Sequence, residues 1–239
     1  MHPLTLENKS EPGLRGERPE IQGRHKPRVL LSPRLIANPS YPEIREALDV
    51  QWGSFLTAAG LLPVLVPLRV DADGFFEDLD PVGLILTGGN DLASQGKGDL
   101  SLSRDDRERE LLAVAEDRGL PVLGVCRGLQ LLAEAGGFCL GPLPGHVAVS
   151  HILSVESESR LLGGFVGHEV NSYHGTGITG VSDDYRIAAR AVDGSVEAIE
   201  HRSRHWIGIM WHPERYDPPR SMDVELVRKV FRGSRWNQV

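Results

Sequence analysis

The sequence predicts an α/β fold in which a mostly parallel sheet carries helices on both faces, followed by a β-rich C-terminal portion. Short apolar runs of strand length alternate with segments of helical periodicity between residues 29 and 136. From Phe138 onward, short segments separated by turns favour hairpins and some antiparallel pairing. Because helical crossovers cover both faces of a parallel sheet, the first pattern predicts a three-layer sandwich.

Length and composition are those of an ordinary globular protein. The chain has 239 residues, of which 40% are hydrophobic and 25% are charged, and its net charge is −7. Residues 1–27 are polar and lack an apolar period, so we expect a disordered N-terminal extension followed by one domain over residues 28–239. Residues 1–28 hold six basic and four acidic side chains, which leaves the remaining body with a net charge of −9. This acidic body argues against nucleic acid as a partner.

The sequence also predicts no membrane partner. No apolar run reaches membrane-spanning length, and the N-terminus lacks the apolar core of a signal peptide, so we expect a cytoplasmic location. Two cysteines, Cys126 and Cys139, provide no disulfide framework and suit a reducing compartment.

The first elements follow one another in the order of an α/β protein. Val29–Leu31 predicts the first strand, and an apolar face through residues 44–59 predicts a helix that begins near Ser40. Leu61–Leu68 predicts a second strand near an edge of the sheet, because its prolines cannot donate to a strand ladder.

The next elements lead to the centre of the chain. Val82–Leu86 predicts a third strand, and Ser103 with Asp106 forms a capping box for a helix over Arg104–Arg118. Leu120–Val125 predicts a buried strand followed directly by another helix. The later predicted elements are strands at Val147–Ile152, Tyr185–Ala191, Val196–Glu200 and Trp206–Met210, and a last helix at Met222–Phe231.

Cys126 lies at the turn between the strand ending at Val125 and the helix that follows. Gly124 and Gly128 leave room for a sharp turn and for close contact between strand and helix. Amide groups at the start of the helix favour the thiolate, the reactive form. A lone cysteine is often a small core residue, but this setting, at a strand end where parallel sheets bind ligands, predicts a nucleophile.

His212 and Glu214 form the second predicted catalytic group. Pro213 biases His212 toward an extended conformation, in which residues two apart point the same way. A carboxylate beside an imidazole fixes its tautomer and orientation. A histidine next to proline is more often only solvated, but together with Cys126 the pattern predicts Cys126 as nucleophile, His212 as base and then acid, and Glu214 as the residue that orients His212.

The paired glycines Gly88 and Gly89 follow the strand that ends at Leu86. Glycines let backbone N–H groups approach a ligand closely, and acyl transfer needs donors aimed at the developing oxyanion. The amides of Gly89 and Arg127 are the predicted oxyanion donors. An ordinary turn is the alternative interpretation of these glycines.

Four motifs together resemble the class I glutamine amidotransferase-like superfamily. In chain order they are Gly88-Gly89-Asn90-Asp91-Leu92, Gly124-Val125-Cys126-Arg127-Gly128-Leu129-Gln130, Val170-Asn171-Ser172-Tyr173-His174 and Trp211-His212-Pro213-Glu214. Within the superfamily the chain resembles the γ-glutamyl hydrolase branch, which is peptidase C26-like, since synthase-linked glutaminase domains usually carry Leu where this chain has Arg127. The resemblance implies a flavodoxin-like fold, a Cys-His-Glu triad and hydrolysis of a γ-glutamyl amide with release of glutamate.

The resemblance also implies which residues hold the substrate. Gln130 and the segment Asn171–His174 would bind the α-amino and α-carboxylate groups of the glutamyl moiety, and His174 is not a second triad base. The expected substrate-binding residues are Gly88, Gln130, Asn171, Ser172, Tyr173, His174 and Arg34.

A narrower resemblance concerns the leaving group. The segment Arg45–Asp49, in the first predicted helix, resembles the corresponding segment of a group of enzymes that hydrolyse γ-glutamyl-CDP-amidate. These enzymes release glutamate and leave cytidine diphosphoramidate, which is used on bacterial capsule sugars. The phosphates of such a substrate need cations, for which Arg34 and Arg127 are candidates. Hydrolysis of γ-glutamyl-γ-aminobutyrate is an alternative, although Gly175 stands where that group has a second histidine.

Other polar residues receive a structural interpretation. Cys139 is expected to pack, and Arg104 and Asp105 fit a solvated helix start. His146 and His151 are spaced like residues of one strand, but no carboxylate or cysteine cluster accompanies them in the sequence, so neither a metal site nor a cofactor is predicted.

Three function classes stay open at this point. The first is a stand-alone hydrolase of a small γ-glutamyl compound, and the second is a glutaminase subunit that feeds ammonia to a separate synthase. The third is a binding module without catalysis. The presence of all three triad residues argues against the last class. The sequence does not predict an oligomeric state.

Overall fold

The computed structural model describes residues 26–96 and 98–232. The predicted N-terminal extension lies outside this part of the chain, apart from its last two residues. The strands are β1 (Arg28–Ser32), β2 (Arg34–Ala37), β3 (Ile44–Ala47), β4 (Leu62–Leu65), β5 (Gly83–Leu86), β6 (Val122–Val125), β7 (Cys139–Pro142), β8 (Val147–Ile152), β9 (Ser154–Val155), β10 (Glu169–Tyr173), β11 (Thr176–Thr179), β12 (Tyr185–Arg190), β13 (Val196–His201) and β14 (Trp206–Ile209). The α-helices are α1 (Gln51–Ala59), α2 (Ala72–Leu79), α3 (Asp99–Asp117), α4 (Arg127–Ala135) and α5 (Ser221–Phe231).

An eight-stranded sheet forms the centre, in the order β4-β1-β5-β6-β14-β13-β12-β9. The strands from β4 to β14 pair in parallel, whereas β13, β12 and β9 add antiparallel neighbours. The predicted α/β fold with a mostly parallel sheet is therefore confirmed, and β4 lies at the edge that its proline favours. Three adjacent strands, β5, β6 and β14, end at the same side of the sheet, which brings the segments after them together.

Helices cover both faces of this sheet. Side chains alternate along β1, so that Val29 and Leu31 face one layer while Leu30 faces the other. The first layer holds α1 and α5, and the second holds α2, α3 and α4. The two apolar cores on either side of the sheet make the protein a three-layer sandwich.

Two small antiparallel pairs extend the C-terminal portion beyond the main sheet. β10 pairs with β8, and β11 pairs with β7. The first pair carries the Asn171–His174 segment, which the sequence analysis singled out. The expected β-rich character of this portion is present.

The first predicted helix begins later than expected. Residues 44–47 form β3, which pairs antiparallel with β2, and α1 begins only at Gln51. The apolar spacing through residue 44 is misleading because Ile44 is exposed in this hairpin. Pairing with a neighbouring strand, closed by a hydrogen bond from Asn38 N to Glu43 O, overrides the local helical pattern.

Helices α2 and α3 also differ from the sequence analysis. α3 begins at Asp99 after Gly98, so Ser103 and Asp106 lie inside the helix and the predicted capping box is wrong. α2 was not predicted, although Asp71 caps it by accepting a hydrogen bond from Gly74 N at 2.8 Å.

None of the helices in residues 26–96 and 98–232 is both long enough and apolar enough to cross a membrane.

Candidate active site

Cys126 sits in a strained turn between β6 and α4. Its backbone φ is 52°, in the left-handed region that residues other than glycine seldom adopt. Such a conformation costs about 1–3 kcal/mol and persists only where the surroundings enforce it. A methyl group on Gly124 would lie 2.6 Å from the Gly128 carbonyl carbon, and one on Gly128 would overlap Leu86. Both glycines therefore allow the close packing that places the thiol at the end of β6.

His212 follows β14 and pairs with Glu214. Its backbone is extended, with φ −103° and ψ 92°, and Pro213 begins a short 3₁₀ turn. His212 Nδ1 lies 2.6 Å from Glu214 Oε1, and both side chains are buried. Because Nδ1 donates to the carboxylate, Nε2 is the nitrogen left for the hydrogen bond between His212 and Cys126. The structure thus brings the three predicted triad residues together.

The surroundings of His212 favour its protonated form. Burial lowers the pKa of His212, but hydrogen bonds to Cys126 and Glu214, together with the negative charges of both, raise it to about 9. Near neutral pH the imidazolium is therefore the stable form, and it can donate a proton to a leaving group.

The loop after β5 packs directly against this pair. A methyl group on Gly88 would lie 2.6 Å from His212 Cε1 and 3.6 Å from Cys126 Cβ. Gly89 has a φ of 81°, which also favours glycine. Glycine at position 88 therefore lets the loop pack against the imidazole, and glycine at position 89 permits the turn of the backbone.

Arg104 orients the peptide groups of this loop. Its Nη1 donates to the carbonyls of Gly88 at 3.0 Å and Gly89 at 2.5 Å, and its Nη2 donates to the carbonyl of Thr87 at 2.6 Å. In a trans peptide the N–H points opposite to the carbonyl. The N–H of Gly89 therefore points away from Arg104, as a donor to a bound substrate would have to.

Arg104 belongs to a buried cluster, the arginine network, which consists of Arg104, Asp105, Glu108 and Arg127. The Arg127 side chain donates to both carboxylates, and Glu108 also accepts from Arg104 at 2.9 Å. Burial lowers the pKa of Arg104 to about 10, although the charge of Glu108 opposes this. The structure contradicts two predictions: the Arg127 guanidinium cannot bind phosphates, and Arg104 and Asp105 are not solvated, because all of them are interior.

The side chain of Asn171 holds the backbone of His212. Its Oδ1 accepts from His212 N at 2.8 Å, and its Nδ2 donates to His212 O at 2.9 Å. Two hydrogen bonds to one residue fix the position of the loop that carries the imidazole. This contact gives Asn171 a positioning role that the sequence analysis did not predict.

The other expected substrate-binding residues divide into two groups. Ser172 donates to His146 O at 2.7 Å, and Gln130 Nε2 donates to Thr176 O at 3.1 Å, so these side chains have protein partners. Tyr173 is 43% exposed, and its ring lies 5.9 Å from that of His212. Within the segment Asn171–His174, Tyr173 is therefore the side chain open to a ligand.

A cavity of about 240 Å³ opens beside the imidazole. Its lining includes His212, Gly88, Gly89 and two arginines, Arg34 and Arg215. Arg34 is the candidate from the sequence, and it packs over Gly89, where a methyl group would lie 3.2 Å from Arg34 Cδ. Both arginines place a positive charge in the cavity beside His212.

Arg215 was missed by the sequence analysis. It stacks on Tyr173, with its guanidinium carbon 4.4 Å from the ring centroid. The sequence signal that could have identified Arg215 is its position directly after Glu214, because neighbouring residues of one loop line the same site.

Three histidines gather with a carboxylate in the β-rich portion. His146 and His151 lie beside His174 and Glu197, and their ligand atoms are all within 4.8 Å of one another. The reason for predicting no metal site, the absence of an accompanying carboxylate, is therefore wrong. Glu197 stands far along the chain, in β13, and pairing of strands brings it there.

Comparison with known proteins places this site in a wider context. The model of the peptidase C26 family matches residues 40–214. The γ-glutamyl-CDP-amidate hydrolase of Campylobacter jejuni is 29% identical over 188 residues, which cover 77% of this chain and 88% of that enzyme. The γ-glutamyl-γ-aminobutyrate hydrolase of Escherichia coli O157:H7 is 30% identical over 219 residues, covering 79% and 85%.

A solved structure shows the same fold. The crystal structure of a glutamine amidotransferase from Thermotoga maritima superposes with a TM-score of 0.61 at 14% identity, covering 86% of this chain and 84% of that one. At this identity the likeness shows the fold alone.

Proposed function

This chain belongs to the peptidase C26 family, and we propose that it hydrolyses a γ-glutamyl amide with Cys126 as nucleophile, His212 as acid and base, and Glu214 as the residue that orients His212. An enzyme acting on γ-glutamyl amides agrees with the relatives of the chain. The observation that carries the proposal is the buried contact of Cys126, His212 and Glu214 at the end of adjacent strands.

The first half of the reaction forms a thioester. The sulfur of Cys126 attacks the γ-carbonyl carbon, and the carbonyl electron pair moves to the oxygen, which accepts hydrogen bonds from the amides of Gly89 and Arg127. As the oxyanion collapses, the C–N bond breaks and His212 gives its proton to the leaving nitrogen. The glutamyl group stays on Cys126.

The second half releases glutamate. His212, now neutral, takes a proton from water, and the resulting hydroxide attacks the thioester carbon. The C–S bond breaks, glutamate leaves and the thiolate–imidazolium pair is restored. Glu214 stabilises the imidazolium in both halves through its hydrogen bond to Nδ1.

For the leaving group we propose a nucleoside diphosphate amide, with γ-glutamyl-CDP-amidate as the substrate. Arg34 and Arg215 line the cavity beside His212, where the nitrogen side of the scissile bond would lie. A guanidinium binds phosphate oxygens in a bidentate manner. The similarity to the Campylobacter enzyme over most of both chains supports this choice.

A substrate panel tests the proposal. We expect Cys126→Ala to abolish glutamate release while circular dichroism and thermal melting stay close to wild type. Wild-type kcat/KM for γ-glutamyl-CDP-amidate should exceed that for γ-glutamyl-γ-aminobutyrate at least about 100-fold, because two charged hydrogen bonds contribute about 1.5–3 kcal/mol each.

Two arginine variants separate the leaving group from the chemistry. Arg34→Ala should lower kcat/KM for the nucleotide substrate about tenfold or more and leave γ-glutamyl-γ-aminobutyrate unaffected. Arg215→Ala should lower kcat/KM for the nucleotide substrate more than for γ-glutamyl-γ-aminobutyrate, because Arg215 also lies 3.8 Å from Glu214. Arg45→Ala is the matched control, since Arg45 lies on the same hairpin as Arg34 and is paired with Glu43 in solvent. Equal kcat/KM for both substrates would overturn the nucleotide proposal, and a preference for glutamine would favour a glutaminase subunit instead.

A further inference from the structure

A second polar centre lies in the β-rich portion, and we call it the histidine cluster: His146, His151, His174 and Glu197. His146 precedes β8, His151 lies in β8, His174 follows β10, and Glu197 lies in β13 of the main sheet. The rings of His146 and His151 are 4.3 Å apart between centroids, and those of His146 and His174 are 5.0 Å apart. The cluster therefore connects the β8–β10 pair to the central sheet.

The inward-facing atoms of this cluster lack hydrogen-bond partners within the described residues. They are His146 Nδ1, His151 Nε2, His174 Nε2 and both carboxylate oxygens of Glu197. Glu197 is fully buried, and its Oε1 lies 3.5 Å from His174 Nε2 and 3.8 Å from His146 Nδ1. A buried carboxylate without a hydrogen bond is costly, so these atoms call for another partner.

The outward-facing nitrogens of two histidines do have partners. His146 Nε2 lies 2.8 Å from Asp193 Oδ2, and His174 Nδ1 lies 3.1 Å from Thr176 O. Since a carboxylate and a carbonyl accept only, each outward nitrogen carries the proton. In the neutral form of each ring the inward nitrogen then holds a free lone pair on the side of Glu197, which is the arrangement seen around bound metal ions.

We propose that the histidine cluster binds one divalent transition metal ion, of the zinc class, through three imidazole nitrogens and the Glu197 carboxylate. Imidazole and carboxylate together suit such ions, and four protein ligands close the coordination sphere, as in structural sites. Ligand atoms around zinc lie about 3.3 Å apart, so shifts of under about 1 Å per side chain complete the site. The ion supplies the positively charged partner that the buried Glu197 carboxylate needs.

The proposed ion fixes the part of the fold that positions the catalytic histidine. His174 comes three residues after Asn171, whose side chain holds the backbone of His212. Thr176 O, the partner of His174, also accepts from Gln130 on the helix that follows Cys126. Metal binding therefore stabilises β10 and, through it, the loop that bears the imidazole, without contact to the substrate.

Metal content is the direct test. The full chain, purified without a histidine tag or metal column, should contain close to one zinc-class ion per chain by plasma mass spectrometry. After removal with a strong chelator the melting temperature should fall, and adding Zn²⁺ alone should restore it. Glu197→Gln and His151→Ala should bind less than a tenth of the wild-type amount.

Two further variants serve as controls. One tests the site without a change in the protein interior, and the other tests whether removal of any histidine has the same effect. Asp193→Asn changes an exposed side chain and should weaken Zn²⁺ affinity about 10–100-fold while the fold survives. His168→Ala removes an exposed histidine outside the cluster and should change neither metal content nor melting.

A different result would overturn the proposal. Wild-type protein that carries no ion, takes up none when Zn²⁺ is added and melts at the same temperature with chelator would contradict the metal site and would favour a protonated histidine as the partner of Glu197. These readouts do not depend on hydrolase activity.

Discussion

Two buried polar clusters lie behind the candidate active site, one behind Cys126 and one behind the segment that holds His212. They differ in how many of their carboxylate oxygens accept hydrogen bonds. In the arginine network, behind Cys126 and the Gly88–Gly89 loop, all four carboxylate oxygens of Asp105 and Glu108 accept hydrogen bonds. In the histidine cluster, behind the segment that holds His212, both oxygens of Glu197 lack a hydrogen-bond partner within the described residues. The difference indicates that the Asp105 and Glu108 carboxylates are compensated by the chain itself, whereas the Glu197 carboxylate needs a further partner such as a bound ion.

The largest expected effect comes from the carboxylate that pairs with His212. Glu214→Gln removes the carboxylate on His212 Nδ1, and we expect kcat to fall about 10²–10⁴-fold, because the imidazolium loses its orienting and stabilising partner. The measurement is steady-state glutamate release. An undiminished kcat would show that Cys126, His212 and Glu214 do not act as one triad.

The same variant makes a pH prediction. His212 is protonated up to a pKa of about 9, so wild-type kcat/KM should decline as the pH rises through about 9. The charge and hydrogen bond of Glu214 raise this pKa, so in Glu214→Gln the decline should begin at a lower pH. The stability that the raised pKa contributes is fully present below the usual value of 6.5 and is lost as the pH rises through about 9. Superimposable profiles for the two proteins would contradict the account.

The next largest expected effect is the loss of stability when the arginine network is broken. Arg104→Leu leaves Glu108 with fewer partners and frees three loop carbonyls, and we expect the free energy of unfolding to fall by about 3–5 kcal/mol. Arg109→Leu is the matched control on the same helix, because its pair with Glu134 is exposed and contributes less than about 1 kcal/mol. Urea unfolding of both variants checks the difference, and equal losses would show that the network does not hold the loop.

The smallest of these effects concerns the hydrogen bonds between Asn171 and the backbone of His212. Asn171→Ala removes both hydrogen bonds to the backbone of His212, which costs about 1–3 kcal/mol and should lower kcat about 10–100-fold with little change in KM. Asn38→Ala, in the turn between β2 and β3, is the control and should behave as wild type. If Asn171→Ala raised KM and left kcat unchanged, its side chain would serve substrate binding instead.

The sequence predicted the main sheet and the proximity of Cys126 and His212 because both depend on local patterns. Short apolar runs mark the strands, and Cys126 and His212 each follow such a run at a turn rich in glycine or proline. Parallel strands that end side by side then bring these residues together without further information.

The polar clusters could not be predicted in the same way. Arg104, Asp105 and Glu108 look like the solvated face of a helix, and only packing of Arg127 from another helix reveals that they are interior. The four members of the histidine cluster are spread over residues 146–197, so no compact spacing marks them. The predicted helix over residues 44–47 was wrong for a related reason, since pairing of β3 with β2 overrode a local helical pattern.

Trapping the intermediate tests the central chemistry most directly. The protein would be quenched with acid during turnover of a γ-glutamyl amide, digested, and analysed by mass spectrometry, with Cys139→Ser as a control for the second cysteine. We predict a glutamyl adduct on the peptide that contains Cys126, present in Cys139→Ser and absent from Cys126→Ala. Continued hydrolysis by Cys126→Ala, or an adduct on Cys139 alone, would contradict the account.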